Sequence, residues 1–167
     1  MEDIPVRILA IDPGDLHVGL ADFVEDPTTD MGWACVTATE TTRDGMRERL
    51  VKLIDQPNQY DSIVVERFTL YPDVAMSLTG KEMATSEMIG AIQFAAHLAG
   101  VPVIRQPASW QQPTRGMLKH LKLKSTAKRM KAGPHAFSAE LHGWAYLMRS
   151  GVTRIQVPES QQLHPDL

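Results

Sequence analysis

The sequence predicts an α/β fold in which helices flank a mixed five-stranded sheet, with three antiparallel strands followed by two parallel ones. Short apolar runs bounded by turn residues recur along the chain and indicate strands, whereas stretches with apolar residues at helical spacing separate the later runs. The length of 167 residues suits one domain with a substantial core. We therefore predict a single domain over residues 1–157 and a loosely held tail over residues 158–167.

The predicted elements follow one another without an internal repeat. The first three strands form an antiparallel meander, and the helix before the fourth strand makes that strand parallel to an earlier one. Thr42 is a plausible cap for this first helix. One or two short helices and a loop fill the basic stretch after the fifth strand. The predicted strands are 6–12, 17–25, 32–41, 61–68 and 101–104, and the main helices are 42–56, 84–98 and 136–149.

Two acidic residues stand where predicted strands end. Asp12 follows the apolar run 6–11 and precedes a Pro-Gly turn, and Glu66 follows the apolar run 63–65. If the two strands are parallel neighbours, both carboxylates emerge at one edge of the sheet, about one strand spacing apart. Two carboxylates at that distance favour a bound cation. Two alternatives stay open, because Asp12 could cap the turn and Glu66 could pair with Arg67.

The net charge of -3 conceals an uneven distribution of charge along the chain. Seventeen of the twenty acidic residues lie at or before Glu87, and none lies between Glu87 and Glu140, where eight basic residues are found. A basic tract of this kind favours contact with nucleic acid, with a solvated helix surface as the alternative. The residues that we assign to DNA contact are Arg115, Lys119, Lys122, Lys124, Lys128, Arg129 and Lys131.

Other features of the composition exclude several classes of protein. No run of eighteen apolar residues occurs, so the sequence predicts no membrane span. Glu2 and Asp3 precede the first apolar run, unlike the basic start of a secretory signal, and we expect a cytoplasmic protein. The lone Cys35 cannot form a disulfide within the chain or a cysteine-based zinc site, and we expect it in the core.

The order of the predicted elements resembles the ribonuclease-H-like fold, and the motifs resemble RuvC-type Holliday junction resolvases, especially their short bacteriophage relatives. The matching stretches are ILAIDPGDLHVGLA around Asp12, IVVERF around Glu66 and GPHAFSAELHGWAYL in the last helix. The resemblance extends from Arg7 to about Arg149. It implies that residues 1–157 form one ribonuclease-H-like nuclease domain.

The resemblance also implies an activity. Such a protein is a metal-dependent endodeoxyribonuclease that resolves Holliday junctions and other branched DNA, including flaps and replication forks. Two Mg²⁺ or Mn²⁺ ions per active site support the hydrolysis, and a homodimer presents two such sites. The implied metal ligands are Asp12, Glu66 and His135. A bacteriophage source would place the protein in the host cell cytoplasm.

The last predicted helix departs from the family pattern at one position. The family supplies Asp-x-x-Asp or His-x-x-Asp there, whereas this chain has His135 and, three residues later, Ser138. At about 100° per residue, His142 shares the face of these two residues, and Glu140 points roughly opposite to Ser138 unless the helix begins late or turns. The catalytic candidates are therefore Asp12, Glu66, His135, Ser138 and Glu140.

Several interpretations of this helix stay open. Ser138 could hold a metal-bound water in a working enzyme, or it could be an introduced change. Alternatively, the chain could bind junctions and cut them poorly. His135 and His142 could also be ordinary histidines of a helix start and a core.

Two aromatic residues soon after Glu66 are further candidates for DNA contact. Phe68 and Tyr71 could each stack on an unpaired base at the crossover of a junction. Phe68 could equally belong to the core. Tyr71 precedes Pro72, and the turn there should expose it.

Two rival functions complete the predictions. The turn Asp12-Pro13-Gly14 also resembles the phosphate loop of actin-like and sugar-kinase ATPases, but those proteins close two domains around ATP and a second domain is absent here. An ATP-binding protein is therefore the less favoured enzyme. The alternative without catalysis is a junction-binding protein whose site is weakened by Ser138.

Overall fold

The computed structural model describes residues 6–68 and 83–153. The predicted tail at 158–167 lies outside this range, so the domain boundaries stay a prediction. The strands are β1 (Arg7–Pro13), β2 (His17–Glu25), β3 (Trp33–Thr42), β4 (Ser62–Arg67) and β5 (Val103–Pro107). The helices are α1 (Arg43–Asp55), α2 (Ala84–Leu98), α3 (Gln111–His120), α4 (Thr126–Met130) and α5 (Pro134–Arg149), with a 3₁₀ turn at Ala108–Trp110.

The five strands form one sheet in the order β3-β2-β1-β4-β5. β1 pairs antiparallel with β2, and β2 pairs antiparallel with β3. β4 lies parallel to β1 on one side and to β5 on the other. The predicted mixed sheet, with its meander and its parallel pair reached through a helix, is confirmed.

Local signals explain where the helices begin. The side chain of Thr42 accepts a hydrogen bond of 3.1 Å from the backbone N–H of Gly45, which confirms Thr42 as the cap of α1. α5 begins at Pro134, two residues earlier than predicted, because a proline suits the first helical position, where no backbone donor is needed. The basic tract forms two helices, α3 and α4, joined by a short connection.

The fifth strand differs from its prediction. It runs over Val103–Pro107 rather than 101–104, because its register is set by pairing with β4, from Ile63 opposite Val103 to Arg67 opposite Pro107. Val101 precedes the strand and is buried in the core instead. The strand therefore reaches three residues further toward the edge where β1 and β4 end.

Alternate residues of the central strands face two separate cores. On β1, Leu9 and Ile11 pack with residues of α1 and α2, whereas Ile8 and Ala10 pack with residues of α5. Cys35 is buried in the second core, as predicted. Because side chains alternate along a strand, Asp12 continues the set of Ala10 and lies on the α5 face. Across the described ranges, no helix is long and apolar enough to cross a membrane.

Candidate active site

The structure brings the two predicted carboxylates to one edge of the sheet. Ile11 of β1 pairs with Val65 of β4, so the next residues, Asp12 and Glu66, leave neighbouring parallel strands side by side. Val64 packs in the same core as Ala10, and alternation therefore places Glu66 on the α5 face with Asp12. This edge, facing the first turns of α5, is the candidate site.

His135 lies against Asp12. The two atoms His135 Nδ1 and Asp12 Oδ2 are 3.0 Å apart, and Nδ1–H donating to the carboxylate leaves Nε2 with its lone pair. Two glycines permit this approach. A Cβ on Gly14 would collide with the imidazole, and a Cβ on Gly19 would collide with the backbone carbonyl of His135.

Burial dominates the electrostatics of Asp12. Its side chain is 13% exposed, and desolvation raises the pKa of its carboxyl above the ordinary value. The hydrogen bond from His135 offsets part of this effect, and the charge of Glu66 adds to it. A hydrogen bond from Ser138 also lowers the pKa of Asp12. Asp12 is thus a carboxylate that a cation would stabilise.

A network of neutral side chains surrounds Glu66. His142 Nε2 lies 2.8 Å from Glu66 Oε2, and Gln111 Nε2 donates to the same oxygen at 2.8 Å. Gln111 Nε2 also donates to Ser138 Oγ at 2.7 Å. Gln111 thus joins Glu66 to Ser138, and Ser138 lies close enough to Asp12 to lower the pKa of its carboxyl.

Glu40 contacts the first turn of α5. Glu40 Oε1 accepts hydrogen bonds from the backbone N–H groups of His135, at 2.6 Å, and Ala136, at 3.4 Å. Glu40 therefore caps the N-terminus of α5, where a negative charge is favourable. It holds the turn that carries His135.

The position of Glu140 requires a correction of its predicted catalytic role. Glu140 is 1% exposed and accepts hydrogen bonds from Ser125 Oγ at 2.6 Å and from the backbone N–H groups of Thr126 at 2.8 Å and Ala127 at 2.9 Å. These donors form the N-terminus of α4. Helical periodicity turns Glu140 away from Ser138, so it anchors α4 and does not join the carboxylates.

The predicted DNA-contact residues lie beside the site. Arg115 and Lys119 project from α3, which begins at Gln111 in the site. The guanidinium of Arg115 lies 5.1 Å from the ring centroid of Phe137, and the ammonium of Lys128 lies 4.8 Å from it. All seven predicted basic residues are exposed: Arg115, Lys119, Lys122, Lys124, Lys128, Arg129 and Lys131.

The two aromatic candidates differ in what the structure describes. Phe68 follows β4 directly and is 38% exposed, so it is not part of the core. Tyr71 lies outside the described residues. Stacking of either ring on a base stays a prediction.

The donor atoms of the site determine whether a divalent cation would fit. Within residues 6–68 and 83–153, no three His, Cys, Asp or Glu side chains converge on one point as a complete ligand group. The carboxylate oxygens suit Mg²⁺ and Mn²⁺, whereas the imidazole nitrogen is an acceptable ligand for Mn²⁺ and a poorer one for Mg²⁺. Mg²⁺ sites commonly use one or two carboxylates and complete their shell with water and substrate phosphate. Asp12, whose charged form is disfavoured by burial and by the charge of Glu66, lies beside Glu66. The two carboxylates therefore fit a site at which water and substrate phosphate complete the ligand shell.

Gln106 and Gln111 are the site residues that the sequence reasoning missed. Gln106 lies opposite Glu66 in the parallel pairing of β4 and β5, and Gln111 begins the helix that follows. The rule that parallel strands end at one edge would have found Gln106, had the fifth strand been placed correctly, but not Gln111, which lies beyond the strand.

Comparisons with known proteins find the same fold in two Holliday junction resolvases. RuvC of Thermus thermophilus, in complex with a Holliday junction substrate, matches with a TM-score of 0.59 and 16% identity over 89% of this chain and 98% of that chain. Fowlpox virus resolvase, in complex with Holliday junction DNA, matches with a TM-score of 0.55 and 13% identity over 85% and 97%. No protein-family model and no curated protein sequence matches this chain. The predicted resemblance to RuvC-type resolvases is confirmed as a likeness of fold.

Proposed function

We propose that this chain is a structure-selective endonuclease that cuts Holliday junctions and other branched DNA in the presence of Mg²⁺ or Mn²⁺. One observation carries the proposal. Asp12 and Glu66 leave adjacent parallel strands on the face covered by α5, within a fold shared by two proteins solved with Holliday junction DNA. His135 and Ser138 reach the same place from α5.

The residues of the site would divide the work of phosphodiester hydrolysis. Asp12 and Glu66 would hold the cations through carboxylate oxygens, and His135 Nε2 would serve as a further ligand or accept a proton from water. Divalent ions held there would supply Lewis acidity for the hydrolysis of the phosphodiester. Ser138, which accepts a hydrogen bond from Gln111, would hold that amide beside Glu66.

The exposed basic residues of α3 and α4 would bind the phosphates of the junction arms. Arg115 and Lys128 flank Phe137, which is adjacent to Ser138 in the chain. DNA held by these residues would therefore pass next to the carboxylates. Phe68, at the end of β4, would contact a base near the crossover.

A homodimer would present two sites to one junction. A four-way junction has two symmetric strands to cut, and one site cuts one strand at a time. α2 exposes Phe94 by 64% and Leu98 by 53%, one helical turn apart. We propose that a second copy of this chain covers this apolar face.

The decisive experiment compares wild type, Asp12→Asn and Ser138→Asp on four-way, flap and linear DNA, with Mg²⁺ and with Mn²⁺. We expect wild type to cut branched DNA only, Asp12→Asn to lose cleavage, and Ser138→Asp to cut faster because a third carboxylate strengthens cation binding. Cleavage of linear duplex at the same rate, or undiminished cleavage by Asp12→Asn, would contradict the proposal.

One observation favours a second candidate, a junction-binding protein without cleavage. The site holds two carboxylates where the family pattern implies more, and Ser138 already bonds with Gln111 and Asp12. Tight binding of four-way DNA by wild type with no product in either metal, followed by cleavage once Ser138→Asp is introduced, would establish this second function.

An actin-like ATPase is the less favoured alternative. The imidazole of His135 lies against Gly14 and leaves no space for even a Cβ there. This crowds the turn that would have to receive the phosphates of a nucleotide. An ATP-dependent rise in Tm would support this alternative.

A further inference from the structure

Glu66 uses its two oxygens differently. Oε2 accepts from both His142 Nε2 and Gln111 Nε2, each at 2.8 Å. Within the part of the chain that the structure describes, no hydrogen bond reaches Oε1. The side chain is 24% exposed. One oxygen is thus saturated by neutral donors, and the other is free.

Gln106, which contacts His142 Nδ1, determines which nitrogen of the His142 ring carries the proton. The side-chain amide of Gln106 is oriented with its nitrogen toward the carbonyl of His142, because both its nitrogen and its oxygen then have hydrogen-bond partners. In this orientation the nitrogen donates to the carbonyl of His142 at 3.1 Å and to His142 Nδ1 at 3.3 Å, and the oxygen accepts from the backbone N–H of Tyr146 at 3.3 Å. Nδ1 is then an acceptor and cannot carry the proton. The ring therefore carries a proton on Nε2 and donates it to Glu66.

Gln111 supplies the second donor. Its two amide hydrogens are accounted for by Glu66 Oε2 and Ser138 Oγ. The 3.3 Å approach of its nitrogen to His142 Nε2 joins two donors and is a packing contact only. Both donors thus converge on the same oxygen of Glu66.

We propose that His142 and Gln111 are positioning residues that fix Glu66 as a ligand through Oε1 alone. The assignment rests on the proposed function, since it concerns how Glu66 meets the cation of that reaction. It also excludes His142 as a metal ligand, because its Nε2 carries the proton and its Nδ1 faces Gln106. His142 compensates for the serine at 138 by restraining Glu66, one of the two carboxylates of the site, from one turn further along α5.

A merely structural role is the competing explanation. His142 is fully buried, and a buried histidine can stabilise a core through any pair of hydrogen bonds. A structural histidine would influence unfolding but not the affinity of the folded site for a cation. Measuring the affinity of the folded protein for a cation therefore distinguishes a positioning role from a structural one.

The first test is the tautomer of His142 in the metal-free protein, read from the imidazole ¹⁵N chemical shifts by NMR. We expect a protonated Nε2 and an unprotonated Nδ1 at neutral pH. The same spectrum of Gln106→Leu should show a shifted Nδ1 resonance, because the donor to that atom is lost. A proton on Nδ1 in wild type would overturn the assignment.

The second test is the affinity for Mn²⁺, measured by electron paramagnetic resonance with junction DNA present. His142→Gln retains an N–H near the position of Nε2, and its affinity for Mn²⁺ should lie within about threefold of wild type. His142→Leu should bind Mn²⁺ about 10-fold more weakly, because losing a residue that orients a metal ligand typically costs that much affinity. Gln111→Met should weaken binding similarly, and it carries the test if His142→Leu does not fold. The control is His97→Gln, an exposed histidine of α2, which should bind as wild type does.

The outcomes separate this inference from the proposed function. If wild type binds Mn²⁺ and the folded variants His142→Leu and Gln111→Met bind it equally well, the positioning role is overturned while the nuclease proposal stands. If wild type binds no Mn²⁺ with junction DNA, both are overturned. Weaker Mn²⁺ binding by His142→Leu together with near wild-type binding by His142→Gln supports the positioning role.

Discussion

The burial of Asp12 disfavours the charged form of its carboxyl. Its carboxylate has little solvent, faces the negative charge of Glu66 and receives hydrogen bonds from His135 and Ser138 that offset only part of this cost. The pKa of Asp12 is therefore raised, which means that the folded protein holds the proton of Asp12 more tightly than the unfolded chain does. A carboxyl whose pKa is raised by burial and by a neighbouring carboxylate is typical of a functional site.

The variant Asp12→Asn tests that balance. As pH rises from 3.8 through the folded pKa, the unfolded chain releases the proton first, so the contribution of Asp12 to stability is lost with rising pH. At neutral pH the neutral Asn should therefore raise the Tm of the protein in EDTA. Added Mn²⁺ should raise the Tm of wild type only.

The control for this prediction is Asp30→Asn, an exposed carboxylate in the turn between β2 and β3. It should leave both the Tm in EDTA and the response to Mn²⁺ as they are in wild type. A lower Tm for Asp12→Asn in EDTA would mean that His135 and Ser138 more than compensate for burial.

At the scale of elements, Glu140 shows how one helix fixes another. The first backbone N–H groups of α4 have no partner within their own helix, and the buried carboxylate of Glu140 on α5 accepts two of them together with the hydroxyl of Ser125. α4 carries Lys128 and Arg129, so Glu140 positions part of the basic surface.

Glu140→Gln should therefore lower the free energy of unfolding by about 2 kcal/mol, because a buried hydrogen bond to a charged acceptor is lost. The affinity of the folded protein for Mn²⁺ should not change, since Glu140 lies apart from Asp12 and Glu66. Urea unfolding and Mn²⁺ titration measure the two effects. Glu48→Gln, on the exposed side of α1, is the control. Weaker Mn²⁺ binding at unchanged stability would restore the catalytic role predicted for Glu140.

The sequence predicted those parts of the site that depend on periodicity. Strand ends placed Asp12 and Glu66 together, and the helical repeat placed His135, Ser138 and His142 on one face of α5. It could not predict the partners of Glu140 or the role of Gln111, because these depend on how α3 and α4 pack against α5. An amide such as Gln111 also carries no charge signal that would mark it in a sequence.

The basic residues of α3, of α4 and of the connection between them predict how junction binding depends on salt. Each phosphate that a lysine neutralises contributes about 0.9 to the slope of log K against log salt concentration. Lys119→Ala combined with Lys124→Ala should lower the slope for junction binding by up to about 2. The measurement is a titration of binding against KCl.

Two exposed basic residues of α1, Arg49 and Lys52, provide the matched control for the lysine pair. Arg49→Ala combined with Lys52→Ala removes the same charge from the other face of the sheet and should leave the slope unchanged. An unchanged slope for the lysine pair would remove Lys119 and Lys124 from the interface.

At the scale of the whole molecule, the two faces of the sheet have different uses. One face carries α5 with the candidate site and the basic helices α3 and α4, and the other carries α1 and α2. The inner side of α2 packs through Met88, Ile92 and Ala95, while Phe94 and Leu98 are exposed. Association through α2 would leave the face with the site free for DNA.

Phe94→Glu should therefore convert a dimer into a monomer, because it puts a charge into the apolar contact between two copies of α2. Sedimentation velocity measures the change, and the monomer should nick one strand of a junction where the dimer cuts two. Val51→Glu is the matched control, since Val51 is an apolar residue of α1 with 58% exposure. A Phe94→Glu protein that still sediments as wild type does, or a wild type that is monomeric with junction DNA, would show that α2 does not pair the subunits. Two cuts by a monomeric variant would show that resolution does not require the dimer.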